Sequence, residues 1–422
     1  MNMFKIKRFE NGIRMVYENI PYVKSVAFGL WIASGSRNER SENNGISHFI
    51  EHMLFKGTKD KTAQEIAAAI DGIGGQLNGF TGKECTCYYT RTLDEHLELA
   101  VEVIADMFFN SRMSKKDMEI ERLVINEEIN MYEDNPEDLV HDVLSSAIWK
   151  GNPLGFGILG TEENLEAFTR KDIKEYMKVH YNPSNIVIAV AGSFNENALF
   201  DLVGKYFGSW SSLFTEPSVY DVPDFKPVFS IKEKDTEQMH ICIGLEGIEH
   251  GSDDIYPLLA INNVLGGGMS SRLFQKIREQ KGLVYAIYSY PSSYKNAGIF
   301  TIYAGMKPDN VETVLKLISN EIQTLKDKGL EEEELVKSKE QLKGGFIIGL
   351  EGTSSRMNAI GKSELLLGHI LTPDEVLEKV NNITIEDVKR VISRIFDLSK
   401  VGFAAIGKSK KDLDYKKYLL VQ

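Results

Sequence analysis

The segment Phe168-Thr-Arg-Lys-Asp172-Ile-Lys with the apolar run Asn185-Ile-Val-Ile-Ala-Val-Ala-Gly192 recurs as Ile383-Thr-Ile-Glu-Asp387-Val-Lys with Lys400-Val-Gly-Phe-Ala-Ala-Ile-Gly407. The offset is 215 residues at both ends. Ser25-Val-Ala-Phe-Gly-Leu likewise matches Met239-His-Ile-Cys-Ile-Gly-Leu, so the chain reads as one fold of about 210 residues, duplicated and diverged. Pro217, Pro223 and Pro227, among Ser, Asp and Glu, make a stiff extended linker between the copies. The expected domains are therefore 1–215 and 229–422, joined by 216–228.

Within the first copy, strand-like runs at 3–10 and 13–18 flank Asn11-Gly12, the pair a type I′ hairpin turn requires. A strand at 25–33 follows, then helical patterns at 44–55 and 62–73 and a strand-like stretch at 77–92. Long helices at 93–110 and 115–132, a loop, a helix at 169–179 and an apolar strand at 185–191 complete the repeat. Because strands and helices come in blocks, the expected class is α+β, each homologous domain a mainly antiparallel sheet packed with helices.

The 49 basic and 61 acidic residues leave a net charge of −12, which repels nucleic acid and anionic membrane. No stretch approaches the roughly 18 apolar residues of a membrane helix, and the first residues, Met1-Asn-Met-Phe-Lys-Ile-Lys-Arg, lack an apolar leader. Three cysteines suit a reducing compartment, so a cytoplasmic location is expected. Cys85 and Cys87, two apart in a strand-like run, share a face and read either as buried core thiols or as a soft-metal pair.

The chemistry is concentrated in His48-Phe-Ile-Glu51-His52. With 8 histidines and 61 acids in 422 residues, chance supplies about 0.02 matches to H-x-x-[DE]-H. On a helix His48 and His52 project from one face, the spacing at which two imidazoles bind one Zn²⁺. Glu51, not itself a ligand, could take a proton from a metal-activated water and pass it to a leaving amine. A third ligand is sought in Glu121-Arg-Leu-Val-Ile-Asn-Glu127-Glu128. Glu121 and Glu128, seven apart, share a helical face, so one could bind metal while the other supports a ligand; spacing does not choose between Glu127 and Glu128.

Together these motifs resemble the pitrilysin and mitochondrial processing peptidase family of inverted-motif zinc metallopeptidases, along nearly the whole chain. The resemblance implies a zinc endopeptidase acting on peptides or unfolded segments, one Zn²⁺ per chain held by His48, His52 and Glu128, with Glu51 as general base and Glu121 in support. Gly75-Gln-Leu-Asn78-Gly79-Phe80-Thr resembles the family's edge strand, where substrate backbone adds; Gly79 stands where a small Ala is usual. In the second copy, 258–268 faces the metal motif in the alignment and contains no histidine. Gly266-Gly-Gly268-Met-Ser-Ser-Arg272-Leu-Phe and Arg278-Glu-Gln-Lys-Gly282-Leu-Val-Tyr285 resemble the family's non-metal half, where an Arg and a Tyr hold the scissile carbonyl, and those types would stabilise an oxyanion.

Asp138 and Asp142 correspond to an acidic pair that receives a substrate arginine in processing peptidases. The family's long members enclose a chamber with four such domains, which implies that this two-domain chain is half of a clamshell and forms a homodimer, with Arg278 and Tyr285 acting across to the partner's zinc. A non-catalytic structural subunit is the alternative, since such relatives exist, although they typically carry eroded motifs. Gly402-Phe-Ala-Ala-Ile-Gly407-Lys408-Ser409 fits a phosphate-loop pattern but reads as strand, with only thirteen residues after it.

Overall fold

The computed structural model describes residues 4–211, 219–408 and 414–419. Residues 216–218 of the expected linker, Pro217 among them, and Ser409 lie outside the described residues. The first repeat runs β1 (Lys5–Arg8), β2 (Arg14–Asn19), β3 (Ser25–Ile32), α1 (Ile46–Leu54), α2 (Ala63–Asp71), β4 (Gln76–Thr81) and β5 (Thr86–Leu93). It continues through α3 (Leu97–Asn110), α4 (Lys115–Glu133), α5 (Pro136–Ile148), α6 (Glu162–Ala167), α7 (Arg170–His180), β6 (Ile186–Gly192) and α8 (Glu196–Phe207). The second runs β7 (Val228–Glu233), β8 (Met239–Glu246), α9 (Ile255–Leu265), β9 (Val284–Tyr294), β10 (Ala297–Met306), α10 (Val311–Lys328) and α11 (Glu332–Gly349). Helices α12 (Thr353–Leu367), α13 (Pro373–Asn381) and α14 (Ile385–Ile395), strand β11 (Gly402–Gly407) and helix α15 (Tyr415–Leu419) complete it.

The duplication is visible in the strand order. One sheet runs β1-β2-β6-β3-β5-β4 and the other β7-β11-β8-β10-β9; each has one parallel pair, β2 with β6 and β7 with β11, and is otherwise antiparallel. The repeated residues recur for backbone reasons. Thr169 and Asp172 cap α7 reciprocally, as Thr384 and Asp387 cap α14, two capping boxes that satisfy helix N–H groups. Gly192 and Gly407 close their strands at φ +138° and +143°, and a Cβ on Gly192 would stand 2.3 Å from the Ser25 carbonyl oxygen. The Gly-Leu match between β3 and β8, however, is offset from the true register. Gly29 pairs with Ala189 and Cys242 with Ala404, so Cys242, not Gly244, is the counterpart of Gly29; a two-residue slip keeps every side chain on its face.

Three local expectations are corrected. The β1–β2 connection is not type I′, which needs positive φ at both central residues, because only Gly12 (φ +96°) has it; the loop is Glu10-Asn11-Gly12, closed by Gly12 N–H to Phe9 O and Phe9 N–H to Ile13 O. The stretch 77–92 is a hairpin, β4 and β5. The expected loop after residue 132 contains α5, begun by Asn135 as N-cap and Pro136 in its first turn.

The chain divides into two compact units that are discontinuous in sequence. Unit 1 comprises residues 1–130, 156–219 and 348–372; unit 2 comprises 131–155, 220–347 and 373–422. Helix α12, from the second repeat, thus covers β2, β3 and β6, while α5, from the first, covers β7, β8 and β11. On the other face of the first sheet, Phe28, Leu30 and Ile32 pack with Phe49, Ile50 and Met53 of α1 and with Val101 and Ile104 of α3. Cys85 and Cys87 lie buried under α12 with Trp31 and Met357, and burial pushes the Cys85 thiol up to about 11, so both are protonated core groups. Unit 2 repeats the arrangement, with Leu144 and Ile148 of α5 against Cys242, Tyr303 and Ala404.

The α12 contact leaves no spare volume. A Cβ at Gly361 would lie 2.4 Å from Trp31 Nε1 and 2.8 Å from the Ala189 Cβ. Gly361→Val is expected to lower unfolding free energy by about 1–3 kcal/mol, read by denaturant titration, because the buried indole cannot retreat.

Candidate metal centre

Helix α1 buries Phe49, Ile50, Met53 and Leu54 against the first sheet, and its period then leaves His48, Glu51 and His52 half-buried on another face. Helix α4 buries Met118, Glu121 and Ile125 and presents Glu128 near the same point, while Glu127 is exposed. His48 Nε2 is 3.7 Å and His52 Nε2 3.6 Å from Glu128 Oε2. A tetrahedral ion bound at about 2.1 Å separates its ligand atoms by about 3.4 Å. Among the described residues, His48, His52 and Glu128 are the one His/Cys/Asp/Glu group whose donor atoms converge within 4.8 Å, so they could hold a metal, and two imidazoles with a carboxylate suit zinc.

The surroundings orient these donors. His52 Nδ1 lies 3.0 Å from Glu121 Oε2, and Lys56 Nζ is 2.7 Å from the other oxygen of this fully buried carboxylate. With the Nδ1 proton donated to Glu121, the Nε2 lone pair is turned towards Glu128 and His48. Burial favours neutral Glu121, but its bonds to His52 and Lys56 outweigh burial and hold the carboxyl below its usual value. Burial, then the neighbouring His52, brings His48 down to about 3 and keeps it neutral, as a ligand must be. Burial also opposes charge on His52, yet Glu121, Glu128 and Glu51 raise its pKa above 6.5.

Glu51 stands between the helix and the sheet edge. Burial lifts its carboxyl above the usual range, against a bond of 2.5 Å in which the Thr81 hydroxyl donates to Oε2. Strand β4 is an edge whose single partner among the described residues is β5, with Asn78 opposite Tyr89 and Gly79 opposite Tyr88. The alternation of β4 aims Gly79 and Thr81 at Glu51; a Cβ at Gly79 would lie 3.3 Å from Glu51 Oε1. Phe80 points to the opposite face and meets Trp31 edge-on at 5.5 Å, while Asn78 Oδ1 accepts from the Gly79 N–H. Lys56 carries no motif, and Thr81 closes the edge-strand motif without being assigned a role by it. Their one sequence signal is position, Thr81 ending the edge-strand segment and Lys56 lying one helical turn past His52.

The remaining expected residues belong to unit 2. Arg278 lies in a π-helical turn, Phe274–Glu279, its guanidinium 4.6 Å from the Phe274 ring, and Tyr285 on β9 is 75% exposed, which excludes a core role. Asp138 is exposed on α5 and accepts from Asn135 Nδ2 at 2.6 Å; both Asp138 and Asp142 act on Tyr132. Helix α9, in the place that α1 takes in the first repeat, contains no histidine.

A family model described as Insulinase (Peptidase family M16) matches residues 14–162, and one described as Peptidase M16 inactive domain matches residues 167–342. An uncharacterized zinc protease of Bacillus subtilis, YmxG, is 47% identical over 93% of this chain and 96% of its own length. The chain belongs to peptidase family M16. A second relative, an uncharacterized zinc protease of Streptomyces coelicolor, is 38% identical over 93% of this chain and 88% of its own. The fold is shared with the crystal structure of a protease from Helicobacter pylori (TM-score 0.90, 23% identity, covering 96% and 99% of the two chains). It is shared equally with a peptidase M16 inactive domain from Pseudomonas fluorescens (TM-score 0.89, 19% identity, 97% and 99%). The pitrilysin-type resemblance and its α+β architecture are thereby borne out. Among the described residues no helix is long and apolar enough to cross a membrane.

The two candidate third ligands can be separated directly. Glu128→Gln is expected to abolish stoichiometric zinc uptake, measured by elemental analysis after dialysis, whereas Glu127→Gln retains about one ion per chain.

Proposed function

We propose that this M16 chain is a zinc-dependent endopeptidase acting on peptides or unfolded segments. The observation that carries the reading is the convergence of His48, His52 and Glu128 beside Glu51 at an edge strand with one side unpaired among the described residues. Zinc held by these three residues would supply a Lewis acid that polarises the scissile carbonyl and acidifies water. Glu51, fixed through Oε2 by Thr81, takes a proton from the attacking water and delivers it to the leaving amine. The free edge of β4 receives extended substrate through backbone hydrogen bonds, which recognise an unfolded strand and exclude folded ones. Glu51→Gln is expected to keep about one zinc per chain and lose about 10²- to 10⁴-fold in peptide hydrolysis, in a fluorogenic peptide assay; a rate near wild type would overturn the role.

On the same reading the active unit is a homodimer in which Arg278 and Tyr285 of a second copy steady the carbonyl oxygen. Their exposure supports this, since neither side chain is committed to the interior of its own unit. Mixing Glu51→Gln with an Arg278→Ala/Tyr285→Phe double variant should then restore activity towards about a quarter of wild type per chain, since half of randomly mixed dimers gain one intact site. Asp138 and Asp142, four apart on α5, are proposed to grip a substrate guanidinium. The Asp138→Asn/Asp142→Asn variant is expected to lower kcat/KM for Arg-containing peptides while sparing Arg-free ones.

A further inference from the structure

The metal helix cannot cap itself. Its N-cap is Gly45 at φ +99°, without a side-chain acceptor. A Cβ there would come within 2.8 Å of Gly160 Cα and of the Leu159 carbonyl oxygen, so Ser, Thr, Asp and Asn are barred. The third helical position, where a capping box carries Glu or Gln, is His48, which the metal reading needs for zinc.

An outside carboxylate fills both vacancies. Glu39 is 2% exposed and makes no ion pair among the described residues. Its Oε2 accepts from Gly45 N–H at 2.8 Å and from Asn44 Nδ2 at 2.9 Å; its Oε1 accepts from Ser47 N–H at 2.8 Å, one residue before His48. The negative end of this contact meets the positive end of the α1 dipole. The segment bearing Glu39 is itself fixed to the β4–β5 turn, since Ser36 N–H donates to Gly82 O, Arg37 N–H to Lys83 O, and Arg37 pairs with buried Glu84 at 2.6 Å.

We infer that Glu39 is a positioning residue for the zinc site, resting on the metal-centre reading above. It fixes the first turn of α1, and with it His48, relative to the edge hairpin that would carry substrate. The helix is only nine residues long, so a shift of its first turn moves His48 and reaches Glu51 and His52 within one further turn. An amide is a poorer partner than the carboxylate, because the three N–H groups facing it are all donors and the amide nitrogen would oppose at least one of them, the Ser47 hydroxyl being the one neighbour that could accept.

The test measures zinc affinity by competition with a chromophoric chelator, alongside steady-state kinetics, in full-length wild type, Glu39→Gln, Glu39→Asp and Gly361→Val. Glu39→Gln is expected to weaken zinc binding about 10- to 100-fold, with the kinetic loss at saturating zinc falling on kcat rather than KM. Glu39→Asp, which keeps both acceptor oxygens on a shorter stem, should recover part of the affinity, and it carries the test should the amide variant not fold. Gly361→Val, destabilised under α12, should bind zinc as wild type does, which separates positioning from general loss of stability. Wild-type affinity in both Glu39 variants, or losses no greater than in Gly361→Val, would overturn the inference alone. Failure of wild type to take up zinc would overturn the metal-centre reading and this inference with it.

Discussion

Glu121, a carboxylate without accessible surface, ties α4 to α1 by meeting His52 with one oxygen and Lys56 with the other. An unpaired charge at that depth would cost several kcal/mol, so the two contacts are conditions of the packing and not additions to it. Once they are made, Glu128, two turns further along α4, reaches the Nε2 atoms of His48 and His52. The orientation of the second imidazole and the convergence of the three donor groups follow from that buried carboxylate.

Local chemistry was legible in the sequence wherever it repeats along a single element. The i, i+4 histidines and the Glu121/Glu128 heptad are each properties of one helix, and the structure puts each pair on one helical face, as the spacing predicts. Contacts between elements were not legible. Thr81 meets Glu51 across 30 residues of chain and Lys56 meets Glu121 across 65, with no period to announce either. Helix α5 was hidden because Asn135-Pro136 reads equally as a break and as the start of a helix, and only the sheet it covers decides. The shift between β3 and β8 was hidden for another reason: a slip of two preserves the apolar pattern, so hydrophobicity alone cannot detect it.

The two repeats show how one architecture separates chemistry from support. Both keep a helix after the second strand of the shared order, a closing strand ended by a positive-φ glycine and a capped penultimate helix. The first spends its α1 face on imidazoles and a carboxylate, and needs buried acids to hold them. The second fills α9 with Pro257, Leu258, Ala260, Ile261 and Leu265, all buried, and is free of that requirement.

The crossed membership of α5 and α12 also governs how the chain can be made. During synthesis the first sheet is complete once β6 emerges at residue 192, but the helix that shields Trp31, Val187 and Ala189 arrives only with residues 353–367. For more than 150 residues of translation that apolar face has no native cover, a standing invitation to a chaperone or to a neighbouring nascent chain. Cutting the gene at the repeat boundary would make that exposure permanent. The evolutionary unit of this protein and its folding unit are therefore different pieces of chain.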